Sequence, residues 1–347
     1  MLIALTAIFA AGLGLYITPL AARAAQQLGI VARPDGGLRT QAEPVPYLGG
    51  VAIYLALLLA LAVAADFEPQ LLGLMLGTTI MLMVGLIDDF GVMTAKMKLF
   101  GQVVAGVALI KGGVVLELGI VRNIAWPGDF PLLSWALSLL WIIGIANAVN
   151  FLDIEDGLAA GVSLLCLPAL FLVAWWNGRA DIALFTAALF GAVLGFLRYN
   201  APLPRARVYL GDAGSLFIGT ALASLAMIGS YTAKNDLAAV CPLIILGVPC
   251  FELGVTMAAR LRRGIPVWHG SPDHVAKRLQ RAGLSKRAAT AAMSLASLAL
   301  GAVAIAIMRS DIRVAAVATG ALAVVALVAA GFLLRVKVEW PPARTPE

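Results

Sequence analysis

Charge is scarce in this chain: Asp, Glu, Lys and Arg make up 13% of the residues against 61% hydrophobic ones, and the mean hydropathy is +0.95. A soluble core cannot bury that much apolar surface, which excludes an ordinary soluble enzyme or binding module. Cysteine is nearly absent as well. Cys166, Cys241 and Cys250 are single, irregularly spaced and set within apolar runs, so they read as small core residues rather than a disulfide framework or a zinc site. Histidine is limited to His269 and His274. No internal repeat of the kind that marks many secondary transporters is visible, and no low-complexity linker divides the chain.

What is present is hydrocarbon. Runs of about 20 apolar residues predict an all-α, polytopic membrane protein of about eleven spans, near 1–22, 47–65, 70–88, 98–112, 132–150, 158–176, 181–197, 213–230, 237–258, 288–308 and 313–335. A single membrane-embedded domain over 1–347 is the simplest organisation. The first span has its basic residue, Arg23, after the apolar stretch and reads as an uncleaved anchor. The loop from Lys111 to Pro131 holds a β-branched stretch, Val114 to Ile124, broken by Gly119, which predicts a small external β-hairpin.

Basic residues orient the chain. Nineteen of the 25 Lys and Arg, among them Arg33, Arg39, Lys96, Lys98, Arg205, Arg207, Arg260, Arg262, Arg263, Lys277 and Arg278, fall in one set of loops. The positive-inside rule places that set in the cytoplasm, with the N-terminus outside and the C-terminus inside. The sequence pI near 9.4 does not point to nucleic acid, because the positive charge is juxtamembrane. Anionic headgroups and an anionic substrate are the expected partners.

Five aspartates, Asp88, Asp89, Asp153, Asp156 and Asp212, fall where apolar spans meet these same loops. A charge facing lipid costs about 2.5 to 3.5 kcal/mol on insertion scales. The five are therefore expected to share one wet, cytoplasmic-face cavity. Asp88-Asp89 is followed by Lys96 and Lys98, which suits a proton, a divalent cation and phosphate oxygens in one place. Asn147, Asn150, Asp153 and Asp156 recur every three residues and, if helical, line one face. Gly211-Asp212-Ala213-Gly214-Ser215 offers a carboxylate and helix-terminal amides, a fit for Mg²⁺ and phosphate. The late basic loop holds His274, and Val275 to Arg287 predicts a short amphipathic interfacial helix. Ordinary structural roles stand beside each reading: Asp88 and Asp89 as helix caps or ion pairs, Asp153, Asp156 or Asp212 as N-caps, and the arginines as positive-inside ballast.

In order and membrane context these motifs resemble the polyprenyl-phosphate N-acetylhexosamine-1-phosphate transferases, the superfamily that includes phospho-N-acetylmuramoyl-pentapeptide translocase. The resemblance covers about Arg33 to Leu279 with its flanking helices. It implies a bacterial inner-membrane enzyme in which undecaprenyl phosphate attacks the sugar-linked phosphate of a UDP-sugar, with Mg²⁺ or alternatively Mn²⁺, giving an undecaprenyl-diphospho-sugar and UMP. A homodimer is compatible with it. By motif, Asp212 is the metal ligand, and Asp88 and Asp89 deprotonate or orient the lipid phosphate. Asn150, Asp153 and Asp156 help hold the nucleotide or complete the polar site, with Asn147 on the same stripe as a substrate-binding candidate. Lys98 neutralises phosphate, Arg39, also a substrate-binding candidate, stands in for a basic residue common in the family's first inner loop, and His274 contacts diphosphate or sugar.

Two departures stand out. Asp153-Ile154-Glu155-Asp156-Gly157 replaces the family's Asp-Gly-x-Asp-Gly, and Ser271-Pro272-Asp273-His274 replaces its histidine cluster, which argues against the peptidoglycan branch. A secondary transporter is the rival reading, since intramembrane acids often mark ion paths, but such sites tend toward the midplane between repeats. An intramembrane aspartyl protease is disfavoured because Pro168-Ala169-Leu170 precedes Leu210-Gly211-Asp212 rather than following it.

Overall fold

The computed structural model describes residues 1–32, 44–116, 131–201, 205–267 and 270–338. These are mostly helical. In chain order they form α1 (Leu2–Gln27), β1 (Val31–Ala32), β2 (Val45–Pro46), α2 (Gly49–Ala64), α3 (Pro69–Asp89), α4 (Ala95–Lys111), α5 (Pro131–Leu152), α6 (Leu158–Trp176) and α7 (Ala180–Asn200). There follow α8 (Gly211–Ile228), a 3₁₀ turn (Asp236–Val240), α9 (Cys241–Ile245), α10 (Gly247–Arg262), α11 (Val275–Arg281), α12 (Lys286–Arg309) and α13 (Ile312–Arg335).

Helices lie over all eleven apolar runs, but among the described residues only eight are long and apolar enough to cross a membrane, or nine if one bent pair counts as a span. Helix α2 has 16 residues, about 24 Å at ~1.5 Å per residue, short of a full hydrocarbon core. Helix α4 has 17 and carries Lys96, Lys98 and Lys111. The run at 237–258 is not one straight helix: the segments Asp236–Ile245 and Gly247–Arg262 are bent by 72°. Pro242 and Pro249 each sit in a first turn, where a missing N–H costs little, so the sequence favours two helix starts there.

Helix α8 is the centre of the bundle. Its most apolar stretch is 89% buried, against 6% for α13, whose side chains are left for lipid. Helices α2, α3, α5 and α6 pack around α8, and α1 lies against α7 and α2. The external hairpin expected over Val114 to Ile124 falls mostly outside the described residues. A two-stranded antiparallel pair instead joins Val31 to Pro46 and Ala32 to Val45, and Tyr209 N–H donates to the Pro46 carbonyl at 2.9 Å. This ribbon ties the connection between α1 and α2 to the start of α8.

Close approach at α8 depends on glycine. A Cβ at Gly85 of α3 would collide with the Asp212 carbonyl and with Ala213. Substituting Gly85 with Ala is expected to lower the melting temperature by the equivalent of about 1–3 kcal/mol, the usual cost of overpacking. Gly320 of α13 has nothing within 4 Å of such a Cβ and serves as the control. Equal melting temperatures for Gly85→Ala and Gly320→Ala in detergent would contradict this packing.

Candidate active site

The apolar register of α3 ends at Asp88 and Asp89, and the close approach at Gly85 delivers both carboxylates to the first turn of α8. Asp89 uses both oxygens there: Asp212 N–H donates to Oδ1 at 2.8 Å and Ala213 N–H to Oδ2 at 3.0 Å. Asp153 accepts from the Gly211 backbone. The first amides of α8 are thus capped from two other elements, which satisfies donors that a helix start cannot satisfy itself. The sequence reading left these amides free for phosphate and Asp212 as an N-cap. Instead they are occupied, and Asp212 lies inside the first turn with Leu210 preceding the helix. Gly211 is required twice over, since its φ is +76° and a Cβ would meet Asp89 Oδ2 at 2.7 Å.

Beside this joint lies a charge cluster. Lys98 Nζ is 2.6 Å from Asp88 Oδ2 and 3.4 Å from Asp212 Oδ2, and its side chain is only 18% exposed. Thr94 starts α4 by accepting from Met97 N–H, which sets Lys98 one turn inside the helix. Asn150 Nδ2 donates to Asp212 Oδ1 and, at 2.9 Å, to Ser215 Oγ. One ammonium and one amide therefore hold Asp212 between α4 and α5. Burial comes first, and then the carboxylates of Asp212 and Asp89, in pushing the Asp153 carboxyl well above the usual carboxylate range.

The three-residue stripe is broken. Helix α5 ends at Leu152, so Asn147 and Asn150 are helical whereas Asp153 and Asp156 sit in a tight connection closed by Gly157 at φ +74°. Asn147 points to a different partner: it exchanges hydrogen bonds with Gln102 at 2.9 and 3.2 Å, an amide clamp between α5 and α4. Neither Asp153 nor Asp156 caps α6, which begins after Gly157 without a side-chain cap. Asp156 instead accepts from Ala206 N–H at 2.9 Å, and Asn200 receives Gly157 N–H at 3.1 Å. Glu155, where the resembled family carries a variable residue, accepts from Lys277 at 2.5 Å and Gln280 at 2.8 Å.

The late loop is not surface ballast. Helix α11 covers seven residues, shorter than the interfacial helix expected to Arg287, because Gly283 at φ +109° turns the chain before α12. Arg278 is 2% exposed, pairs with Asp273 at 2.8 Å and donates to the Leu333 and Val336 carbonyls at the end of α13. Its charge there opposes the negative end of that helix. Sequence reading missed Asp273, Arg278 and Glu252. The signal for Glu252 was available, an acid inside an apolar run.

Asp88, Asp89, Asp153, Asp156, Asp212 and His274 line one cavity of about 640 Å³, with Tyr47, Tyr209 and Lys277 on its walls. Lys98 and Asn150 reach it through Asp212, Asn147 does not line it, and Arg39 lies outside the described residues. A larger cavity of about 930 Å³, lined mainly by apolar residues of α1, α6 and α7, contains none of these acids. Among the described residues no three His, Cys, Asp or Glu side chains are drawn together tightly enough to hold an ion alone. The carboxylates that line it are nevertheless hard oxygen donors, which fits Mg²⁺ held by one or two carboxylates plus waters and substrate phosphate.

Fold and site define a polytopic membrane protein with an acid-lined polar cavity at its helix ends. The family model for glycosyl transferase family 4 matches residues 71–230. The chain is 30% identical over 274 residues to a Bacillus subtilis (strain 168) protein named "Probable undecaprenyl-phosphate N-acetylglucosaminyl 1-phosphate transferase", covering 79% of this chain and 76% of that one. It is 24% identical over 287 residues, 82% of this chain and 78% of the other, to the undecaprenyl-phosphate alpha-N-acetylglucosaminyl 1-phosphate transferase of Escherichia coli (strain K12). To the phospho-N-acetylmuramoyl-pentapeptide-transferase of Shouchella clausii (strain KSM-K16) it is 38% identical over 201 residues, 53% of this chain and 60% of that one. The chain belongs to glycosyl transferase family 4.

The two neighbouring acids are expected to separate in their effects. Asp89→Ala leaves two α8 amides without their acceptor, a loss of about 1–3 kcal/mol for each buried donor left unpaired, so it should lower the melting temperature clearly more than Asp89→Asn. Asp88→Asn, which orphans no backbone group, should melt near the wild type. Equal melting temperatures for Asp89→Ala and Asp88→Asn would contradict the capping role.

Proposed function

We propose that this chain transfers a sugar-1-phosphate, N-acetylhexosamine-1-phosphate in the first instance, from a UDP-sugar to undecaprenyl phosphate. The products are undecaprenyl-diphospho-sugar and UMP. Family membership and the names of its relatives support the reaction class. The observation that carries it to these residues is the Asp88, Lys98 and Asp212 cluster, set at the ends of α3 and α8 beside the cavity. Acids at helix ends rather than mid-span also disfavour the transporter reading. The excess of basic residues in one set of loops supports a cytoplasmic-face site with the N-terminus outside and the C-terminus inside, and the bacterial relatives support residence in a bacterial inner membrane.

The charge balance of the cavity explains the need for a cation. Five aspartates and Glu155 line it, while Lys277 is paired with Glu155 and Lys98 is shared between Asp88 and Asp212. Two anionic substrates would meet net repulsion. Asp212 would hold Mg²⁺, or Mn²⁺ in its place, and the bound ion would supply the missing positive charge opposite diphosphate oxygens. In the transfer, an oxygen of the lipid phosphate forms a bond to the sugar-linked phosphorus, the bond from that phosphorus to the bridging oxygen breaks, and UMP leaves with the bridging oxygen. Asp88 orients the lipid phosphate and takes its proton. Lys98, held between the Asp88 and Asp212 carboxyl groups, neutralises phosphate as it arrives. Asn150 fixes the rotamer of Asp212, Asp89 and Asp153 hold its backbone, and the connection bearing Asp156 frames the nucleotide side with Arg39 as a further cation. Proximity and orientation at the membrane surface do the rest.

The purified chain in lipid discs is expected to release UMP from UDP-N-acetylglucosamine only when undecaprenyl phosphate and Mg²⁺ are both present. UMP release without lipid phosphate, or none with any nucleotide sugar, would contradict the function. Asp212→Asn should lose on the order of 100-fold or more in kcat, as when an electrostatic stabiliser is removed. Near-normal activity with unchanged metal dependence would remove Asp212 from that role. Lys98→Ala should lower kcat/KM by about tenfold or more through a lost charge-assisted contact, and an unchanged kcat/KM would take it out of the site.

A further inference from the structure

Outside the acid cluster, a second carboxylate is enclosed completely. Glu252 lies on α10 within an apolar run and is 0% exposed. Its Oε1 accepts from Thr256 Oγ1 at 2.8 Å and lies 2.7 Å from His274 Nδ1, and its Oε2 accepts from Val275 N–H at 3.0 Å. A carboxyl group buried in an apolar helix is tolerated when its oxygens are hydrogen-bonded, and here both are. His274 is 7% exposed and lines the acid cavity. Its ring stands edge-on to Phe151, with centroids 5.7 Å apart at 87°, and the Arg260 guanidinium covers the same Phe151 ring at 4.7 Å. Arg260 is itself held by Ser271 at 2.9 Å.

The structure assigns Glu252 as the positioning residue of His274. A carboxylate can only accept, so Nδ1 must carry its proton toward Glu252. That leaves Nε2 as the ring nitrogen available to the cavity, an acceptor when the ring is neutral and a donor when it is charged. A half-turn of the ring would put Cδ2 where Nδ1 stands and lose the 2.7 Å contact with Glu252, so that contact fixes the ring's orientation. Glu252 touches no substrate in this arrangement. It acts by deciding which nitrogen His274 presents, and by tying α10 to the start of α11 through Val275. That Nε2 then meets the diphosphate or sugar rests on the transferase reading above, whereas the proton assignment rests on the geometry alone.

The test uses the full chain in lipid discs, labelled with ¹⁵N-histidine. Only two imidazoles are present, so a His269→Gln variant leaves the His274 signals alone. At alkaline pH, where an ordinary imidazole is neutral, the wild-type ring is expected to hold its proton on Nδ1. In Glu252→Gln the carboxamide oxygen still accepts from Val275 N–H while its NH₂ faces Nδ1, so the ring proton should move to Nε2. The same variant should lose about 10- to 100-fold in kcat/KM, the usual effect of removing a residue that orients a histidine, while melting near the wild type. In a His274→Gln background the Glu252→Gln change should add no further loss. Glu252→Asp, which keeps the charge but shortens the reach, should retain more activity than Glu252→Gln and covers the case in which the amide does not fold. A wild-type ring protonated on Nε2, or an unchanged ring in Glu252→Gln, would overturn the assignment. So would an equal Glu252→Gln loss with and without His274. The nuclear resonance needs no turnover, so a chain that released no UMP would sink the transferase reading and still decide the proton's place.

Discussion

The whole site depends on one contact, the carboxylate of Asp89 seated on the first amides of α8. A helix start buried among apolar spans has donors that lipid cannot satisfy. Bringing the end of α3 onto that start solves the problem, and it needs glycine at Gly85 and Gly211 because any Cβ there would fill the gap. Once the joint is made, Asp88 and Asp212 are neighbours by necessity. Their mutual repulsion then has to be offset, and Lys98 is held between them.

Compensation of charge runs outward from this point. Asp153 supports the same turn of α8 from the α5–α6 connection, and Glu155 fastens that connection to α11 through Lys277 and Gln280. Asp273, Arg278 and the carbonyls at the end of α13 continue the chain of partners to the last helix. The acids near the cavity thus divide into those whose oxygens are taken up by backbone amides and those held only through side chains. Asp88 and Asp212 belong to the second group and face the cavity, which is why the proposed chemistry is placed on them.

Much of this was legible in the residues. Hydropathy located the long helices among the described residues, because lipid enforces continuous apolar runs, and the cost of charge in hydrocarbon predicted that the aspartates share a cavity. Three features were not legible for physical reasons. A spacing of three implies one helical face only while the helix lasts, and α5 ends at Leu152, before Asp153 and Asp156 can join Asn147. A glycine-flanked aspartate looks like a cap, but whether it caps or is capped depends on which distant carboxylate arrives, and here Asp89 does. Glu252 was hidden by the apolar run around it, although its charge in such company was the clue. The bend between α9 and α10 could have been read from Pro242 and Pro249, since each marks a first turn.

The central claim is that Asp212 is where divalent cation and diphosphate meet. Electron paramagnetic resonance of Mn²⁺ titrated into the full chain in lipid discs measures it most directly, with and without UDP. Wild-type protein is expected to bind Mn²⁺ more tightly when UDP is present, and Asp212→Asn to lose that binding while keeping its fold. Mn²⁺ bound equally by both proteins would contradict the account.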